Sequence, residues 1–302
     1  MADTADQLDV RSLRVLAALA NTGNTYRAAD QLNLSQSAVS RTLGRLRSVL
    51  DDPLFVRGPA RMEPTEKARH IVARLPELLD LLESVVEGDK PFDPAQWQGN
   101  VSIALSSLAM IAWGSLICSQ LQKLAPGLVL NLETWGPNTV GGLLDGRITL
   151  GIHYRHDKWP QALFQETLVK DQYVLMSREG HPAARARPAL DLFRDYPLIS
   201  LLLPEWNDYD NRLESALAGL AIEPQIKLRT DDLSLALEQL RASDCLMAGT
   251  RSMTERLDRI QLNSYPRELQ LPDSTAVLCY PRRMRNSSRM NWLAKELKSL
   301  VG

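Results

Sequence analysis

Gln36, Ser37, Ser40, Arg41 and Arg45 fall within one ten-residue stretch. At about 100° per residue they fill one half of a helical wheel, and Ala38, Val39, Leu43, Leu46 and Leu50 fill the other. Glutamine and arginine can make paired hydrogen bonds to purine edges, while serine and arginine can hold phosphate. Thr25 and Tyr26 open the short patterned stretch just before, and Arg57 and Arg61 flank a Gly58-Pro59 turn just after. The chemistry these residues suit is hydrogen bonding to a polyanion with readable edges. Bond-making chemistry has no comparable set. Nucleophile-elbow, phosphate-loop and dinucleotide motifs are absent, and no Ser, His and Asp combination is signalled. His153 and His156 are spaced i, i+3, but no Cys or second pair joins them, so neither a metal nor another cofactor is expected. The reading is a binding protein, not an enzyme.

Elements must hold these groups in place. Val10, Leu13, Val15, Leu16, Leu19 and Ala20 make a helical stripe. A second helix is expected over Thr25–Leu32, with Thr25 as its cap and Ala28 and Ala29 letting another helix approach closely. Asn33-Leu34 makes a short turn, and Ser35 is placed to cap a third helix running to about Leu50. Residues 52–65 then read as two short strands around the Gly-Pro turn. Two short helices, a tight turn and a basic hairpin suit a winged helix-turn-helix. A small helical bundle with a hairpin lid fits the periodicity equally well.

Charge separates the chain into parts. Between Val10 and Pro76 stand eleven basic residues against five acids, an excess of six positive charges in a protein whose net charge is −1. The remainder therefore carries an excess of seven negative charges. A basic first fifth on an acidic body points to one module built for a polyanion. The chain is 302 residues long, 44% hydrophobic and 24% charged, enough for about two domains with separate cores. Cys118, Cys245 and Cys279 are scattered, so no disulfide framework is expected and they read as small hydrophobes. No apolar run approaches the ~20 residues of a membrane span, and the acidic start does not read as a secretory signal. A cytoplasmic protein with no membrane partner is expected.

The run from Arg27 through Leu32, Asn33-Leu34-Ser35-Gln36-Ser37-Ala38-Val39-Ser40-Arg41, then Pro53-Leu54-Phe55-Val56-Arg57 and Pro64-Thr65, strongly resembles the DNA-binding domain of LysR-type transcriptional regulators. One departure is Leu46-Arg47, where that family often has Leu-Glu. The resemblance implies a mainly α winged helix-turn-helix over 8–65, with the helix-turn-helix at about 25–44. A linker helix over 65–87 and a hinge over 88–96 would follow. Residues 97–302 would form a two-lobed α/β regulatory domain like a periplasmic binding protein, lobe I at about 97–170 and 267–302, lobe II at about 171–266. It also implies the partners: double-stranded DNA with a near-palindromic operator, a small effector of unknown identity, RNA polymerase, and further copies of the chain in a homodimer or homotetramer. DNA contacts are then expected from Thr25, Tyr26, Gln36, Ser37, Ser40, Arg41, Arg45, Arg57 and Arg61.

Ile71, Leu75, Leu78, Leu82 and Val85 are spaced 4, 3, 4 and 3, a heptad seam that wants a partner helix, within the chain or from a second copy. Pro76 should kink it near Arg74. Beyond the hinge, apolar runs at Val101–Ser106, Leu128–Glu133, Ile148–Ile152, Tyr173–Ser177, Gln225–Thr230, Cys245–Ala248 and Thr275–Tyr280 alternate with amphipathic stretches, which implies a largely parallel sheet. Given the family's interlobe cleft, residues just after these strands are the effector candidates: Ser106, Ser107, Trp135, Asn138, His153, Tyr154, Thr230, Asp231 and Gly249. Each has a plainer reading, the serines as helix caps and the aromatics as core. Two alternatives to an effector-controlled regulator stand beside it: a constitutive DNA binder with an empty structural cleft, and a small-molecule-binding protein or enzyme with an added helical domain.

Overall fold

The computed structural model describes residues 7–59, 61–75, 78–79, 82, 92–182, 189–203, 211–269, 271 and 274–301. The chain divides into two compact units, one on the residues up to Phe92 and one from Asp93 onward, with Leu144–Arg147 and Asn286–Met290 grouped with the first.

The first unit begins with α1 (Val10–Thr22), whose N-cap Asp9 accepts from the Ser12 amide at 2.7 Å and whose C-cap is Gly23 at φ 60°. Then come α2 (Thr25–Gln31) and α3 (Gln36–Leu50). The expected cap of α2 is displaced by one residue. Asn24, not Thr25, accepts from the amides of Tyr26 and Arg27, at 2.8 and 3.3 Å, because its side-chain oxygen, with two lone pairs, satisfies two orphan amides at once. Ser35 caps α3 through the Ala38 amide at 3.2 Å. Ala28 and Ala29 are buried, and their small side chains let α2 pack among α1 and α3 around Val15, Leu16, Leu19, Val39, Leu43 and Leu46. The strands β1 (Phe55–Arg57) and β2 (Met62–Pro64) pair antiparallel, with Val56 opposite Glu63. Gly58 closes their turn by donating to the Arg61 carbonyl at 2.9 Å, and a side chain there would run into Glu63. Next, α4 (Glu66–Val72) is capped by Thr65. A turn at Ala73-Arg74 interrupts it, and Leu75, Leu78, Leu79 and Leu82 are again helical. Pro76 and Val85 lie outside the described residues.

The second unit holds two five-stranded sheets. Its elements in order are β3 (Gly99–Leu105), α5 (Ser107–Leu124), β4 (Leu128–Thr134), α6 (Thr139–Leu144), β5 (Leu150–Tyr154), β6 (Leu163–Asp171), β7 (Tyr173–Arg178), α7 (Leu192–Asp195), β8 (Leu198–Leu201), α8 (Arg212–Gly219), β9 (Ile226–Thr230), α9 (Leu233–Ala242), β10 (Leu246–Thr250), α10 (Arg251–Thr254), β11 (Ile260–Asn263), β12 (Ser274–Pro281) and α11 (Ser288–Val301). Strand order is β4-β3-β5-β12-β6 in the first sheet and β11-β7-β10-β8-β9 in the second. The chain passes from one sheet to the other at Gln172 and returns before Ser274, which lies opposite Asp171.

The expectation of a largely parallel sheet is corrected. In each sheet three strands run parallel, but β12 and β6 in one, and β7 and β11 in the other, are joined by antiparallel ladders. The crossing strands cause this. A chain that leaves one sheet to start another enters against the direction of the βα units, so its strand must run backwards beside them. Three strands were not anticipated. β6 and β11 each stand at a sheet edge with half-exposed, mixed residues, which blurs any period-2 signal, and β8 is only four residues long.

Candidate nucleic-acid interface and effector domain

The outer face of α3 presents Ser37, Ser40 and Arg41 to solvent, with Gln36 half-buried beside them. The Gln36 amide nitrogen donates to Ser40 Oγ at 2.9 Å and to Thr25 Oγ1 at 3.3 Å. One side chain is thus held between the starts of α2 and α3, with its carbonyl oxygen left as an acceptor. Tyr26 is 68% exposed at the start of α2, so its ring has no packing role in this unit. Arg57 and Arg61 are exposed on either side of the hairpin turn. Together these residues form a donor-rich surface carried on α2, α3 and the hairpin.

The basic excess is not all available to a partner. Arg45 is engaged by Asp9 at 2.6 Å, so this expected DNA contact ties α3 to the cap of α1. Hydrogen bonds from Arg45 and then Ser12 pull the Asp9 pKa down to about 2. Arg47 donates to the carbonyls of Pro53 and Phe55, at 2.8 and 3.3 Å, and fastens β1 to the end of α3. Lys67 reaches the Leu50 carbonyl and Arg69 the Pro64 carbonyl. Asp52 accepts from the Leu54 amide and the Thr65 hydroxyl, which lowers its pKa. Arg47 is a residue that spacing alone did not single out, and its departure from the family pattern was the available signal.

The expected seam is also partly occupied. Leu75 is 2% exposed within the first unit's own core, and Ile71 and Leu79 pack against the same cluster. Ile71 and Leu75 are therefore covered by their own chain. Leu78 is 40% exposed and Leu82 half-buried.

The effector candidates separate just as clearly. Ser106 is buried and caps α5 by accepting from the Ala109 amide at 3.2 Å, so its hydroxyl has a structural use. Trp135 is buried, with its ring stacked on Trp159 at 4.9 Å and against His153 at 4.7 Å. His156 stacks on the other partner, Trp159. Both histidines of the i, i+3 pair thus serve ring packing. Tyr154 is buried, donates to Asp171 at 3.0 Å and accepts from the Thr250 hydroxyl at 3.1 Å, bridging the two sheets where the chain crosses between them. Burial, with the Asp171 charge, raises its pKa well above the ordinary phenol value. Gly249 is an interior residue of β10 and not a loop residue. A side chain there would strike Met176, so it is glycine to let that sulfur approach. Thr230 accepts from the Asp232 amide at 3.0 Å ahead of α9. Ser107 is half-buried, and Asn138 and Asp231 are exposed. Trp135, His153, Tyr154, Gly249 and Ser106 thus have packing or capping contacts of their own.

Known proteins resemble this arrangement along its whole length. Residues 10–69 match the family described as bacterial regulatory helix-turn-helix protein, lysR family, and residues 94–301 match LysR substrate binding domain. The HTH-type transcriptional regulator SyrM 1 of Sinorhizobium fredii (strain NBRC 101917 / NGR234) is 27% identical over 291 residues, covering 96% of this chain and 84% of that protein. The probable transcriptional regulator PA0477 from Pseudomonas aeruginosa has a solved structure that superposes with TM-score 0.63 at 28% identity, covering 98% of both chains. A full-length OxyR variant from the same organism shares the fold, with TM-score 0.71 at 16% identity over 96% of this chain and 95% of that one.

Proposed function

Because the chain belongs to the LysR family of DNA-binding transcriptional regulators, which are not enzymes, we propose that it reads a near-palindromic operator through α3 and changes that binding in response to a small effector. The observation that carries the reading is the donor row of Gln36, Ser37, Ser40 and Arg41, with Gln36 already held by Thr25 and Ser40. Arg41 supplies paired donors to a purine edge, and Arg57 and Arg61 meet phosphates beside it. Arg45 contributes to this surface by holding α3 rather than by touching DNA.

One such helix covers few base pairs, so two copies related by a dyad are needed for specificity. The helical stretch carrying Leu78 and Leu82 is the contact we assign to the dimer, with a tetramer as a further assembly and RNA polymerase as the downstream partner. The cytoplasm is the compartment where such a regulator meets its DNA. No helix among the described residues is long and apolar enough to cross a membrane. The effector is expected between the lobes, near Ser107, Asn138, Thr230 and Asp231. Control requires it to bind one arrangement of the protein more tightly than another, since equal affinity shifts nothing.

A gel-shift titration tests the reader. Arg41→Ala should cost about 1–3 kcal/mol at one base pair and relax preference there. Arg57→Ala should weaken all sequences alike and flatten the salt dependence by about one unit of slope. An Arg41→Ala protein with unchanged affinity and sequence preference assigns the reading to another element.

A further inference from the structure

Gln36 is the first residue of α3, and the N-terminal residues of a reading helix are those that meet base edges. Its side-chain amide has two hydrogens to donate and one carbonyl oxygen to accept with. Both hydrogens are already placed. One goes to Ser40 Oγ at 2.9 Å, one turn along the same helix face, and the other to Thr25 Oγ1 at 3.3 Å, across in α2. Among the described residues no donor reaches the carbonyl oxygen. The half-buried amide is therefore held from two helices with a known sense.

That sense matters for reading. A glutamine with both ends open pairs with adenine, accepting from the N6 amino group and donating to N7. Here the donor end is occupied inside the protein. An acceptor alone needs a base that offers a hydrogen in the major groove, and only the adenine N6 and cytosine N4 amino groups do so. Guanine presents O6 and N7 there and thymine presents O4, all acceptors. Oxygen would then face an acceptor with no hydrogen between them.

We propose that Thr25 and Ser40 preset Gln36 as a hydrogen-bond acceptor, so that the base it meets in each half-site is adenine or cytosine and not guanine or thymine. Thr25 is then a positioning residue for specificity, acting through the amide nitrogen that it holds. The inference rests on α3 being the reading helix and adds to that reading the sense of one hydrogen bond.

Selection of bound duplexes from a randomised pool by the full chain tests this. The same selection with Gln36→Ala marks the position whose preference depends on Gln36. That position should carry adenine or cytosine. A duplex with the amino group removed there, using purine for adenine or 2-pyrimidinone for cytosine, should bind about tenfold more weakly. Where the base is adenine, 7-deazaadenine should bind as well as adenine, because N7 has no donor to meet. Thr25→Val frees one amide hydrogen, and the preference for amino over keto bases should fall below about threefold; Thr25→Ser should restore it. A purely structural role for Thr25 would weaken all sequences alike and leave that ratio unchanged. A full chain that enriches no sequence overturns the operator reading and this inference together. A chain that enriches one leaves the operator reading standing. The inference alone then falls if the Gln36-dependent base is guanine or thymine, if no position depends on Gln36, if 7-deazaadenine binds as weakly as purine, or if Thr25→Val leaves the ratio unchanged.

Discussion

Asp9 shows how much one residue can join. It caps α1 with Ser12 and pairs with Arg45 across to α3, so the first turn of one helix and the middle of the reading helix share a carboxylate. Losing a cap of this kind costs about 1 kcal/mol. Asp9→Ala should therefore lower the unfolding free energy of the first unit by about that much at pH 7, measured by urea titration. Its folded pKa is depressed to about 2, so the ionised form contributes stability above the ordinary carboxylate range. That contribution is lost as pH falls from about 4 toward 2. The gap between wild type and Asp9→Ala should narrow over that window, and a gap that widens on acidification contradicts the assignment. Raising salt should shrink the Arg45 part of the effect, because both side chains are about half exposed.

At the scale of elements, the segment after the winged domain divides its apolar residues between two uses. Ile71, Leu75 and Leu79 lie on the first unit's core, while Leu78 faces out. A turn at Ala73-Arg74 separates α4 from the continuation, so the seven-residue period read from sequence spans two helical pieces and does not mark a single stripe. Leu78→Asp should leave folding nearly unaltered, since the side chain is already exposed, but it places an unpaired charge in any helix-to-helix contact. Sedimentation should then show monomers at micromolar concentration, with DNA affinity falling in step. A fully dimeric Leu78→Asp protein locates the dimer contact elsewhere. The wing follows a different logic. Arg47, Asp52 and Thr65 tie its base to α3 and α4 through hydrogen bonds that include backbone carbonyls, which leaves Arg57 and Arg61 free of that duty.

At the scale of the whole molecule, the crossing point between the two sheets is held by a buried set of polar groups. Asp171 accepts from Tyr154, from the Gln172 amide at 2.8 Å and from the Ser252 amide at 3.2 Å. Tyr154→Phe would remove one donor from a buried carboxylate, a loss of about 1–3 kcal/mol. Chemical denaturation of the full chain, followed through a probe in the effector domain, should show a destabilisation of that size. A loss below about 0.5 kcal/mol would mean that water replaces the hydroxyl.

What the sequence by itself determined is the local part of this protein. Caps, turns and short-range periodicity act between neighbours, so Ser35, the run of α3 from Gln36 to Leu50 and the paired strands of the basic hairpin were legible. The family was legible for the same reason, because its pattern is a continuous stretch of such signals. Long-range pairing decided the rest. That Arg45 meets Asp9 across 36 residues, that Tyr154 reaches Thr250 across 96, and that Gly249 makes room for Met176 are contacts between distant segments. A residue at the end of a strand reads as open to a ligand until the fold places another chain segment against it. Trp135 and His153 became packing residues in this way, because only the tertiary structure sets which side chains meet.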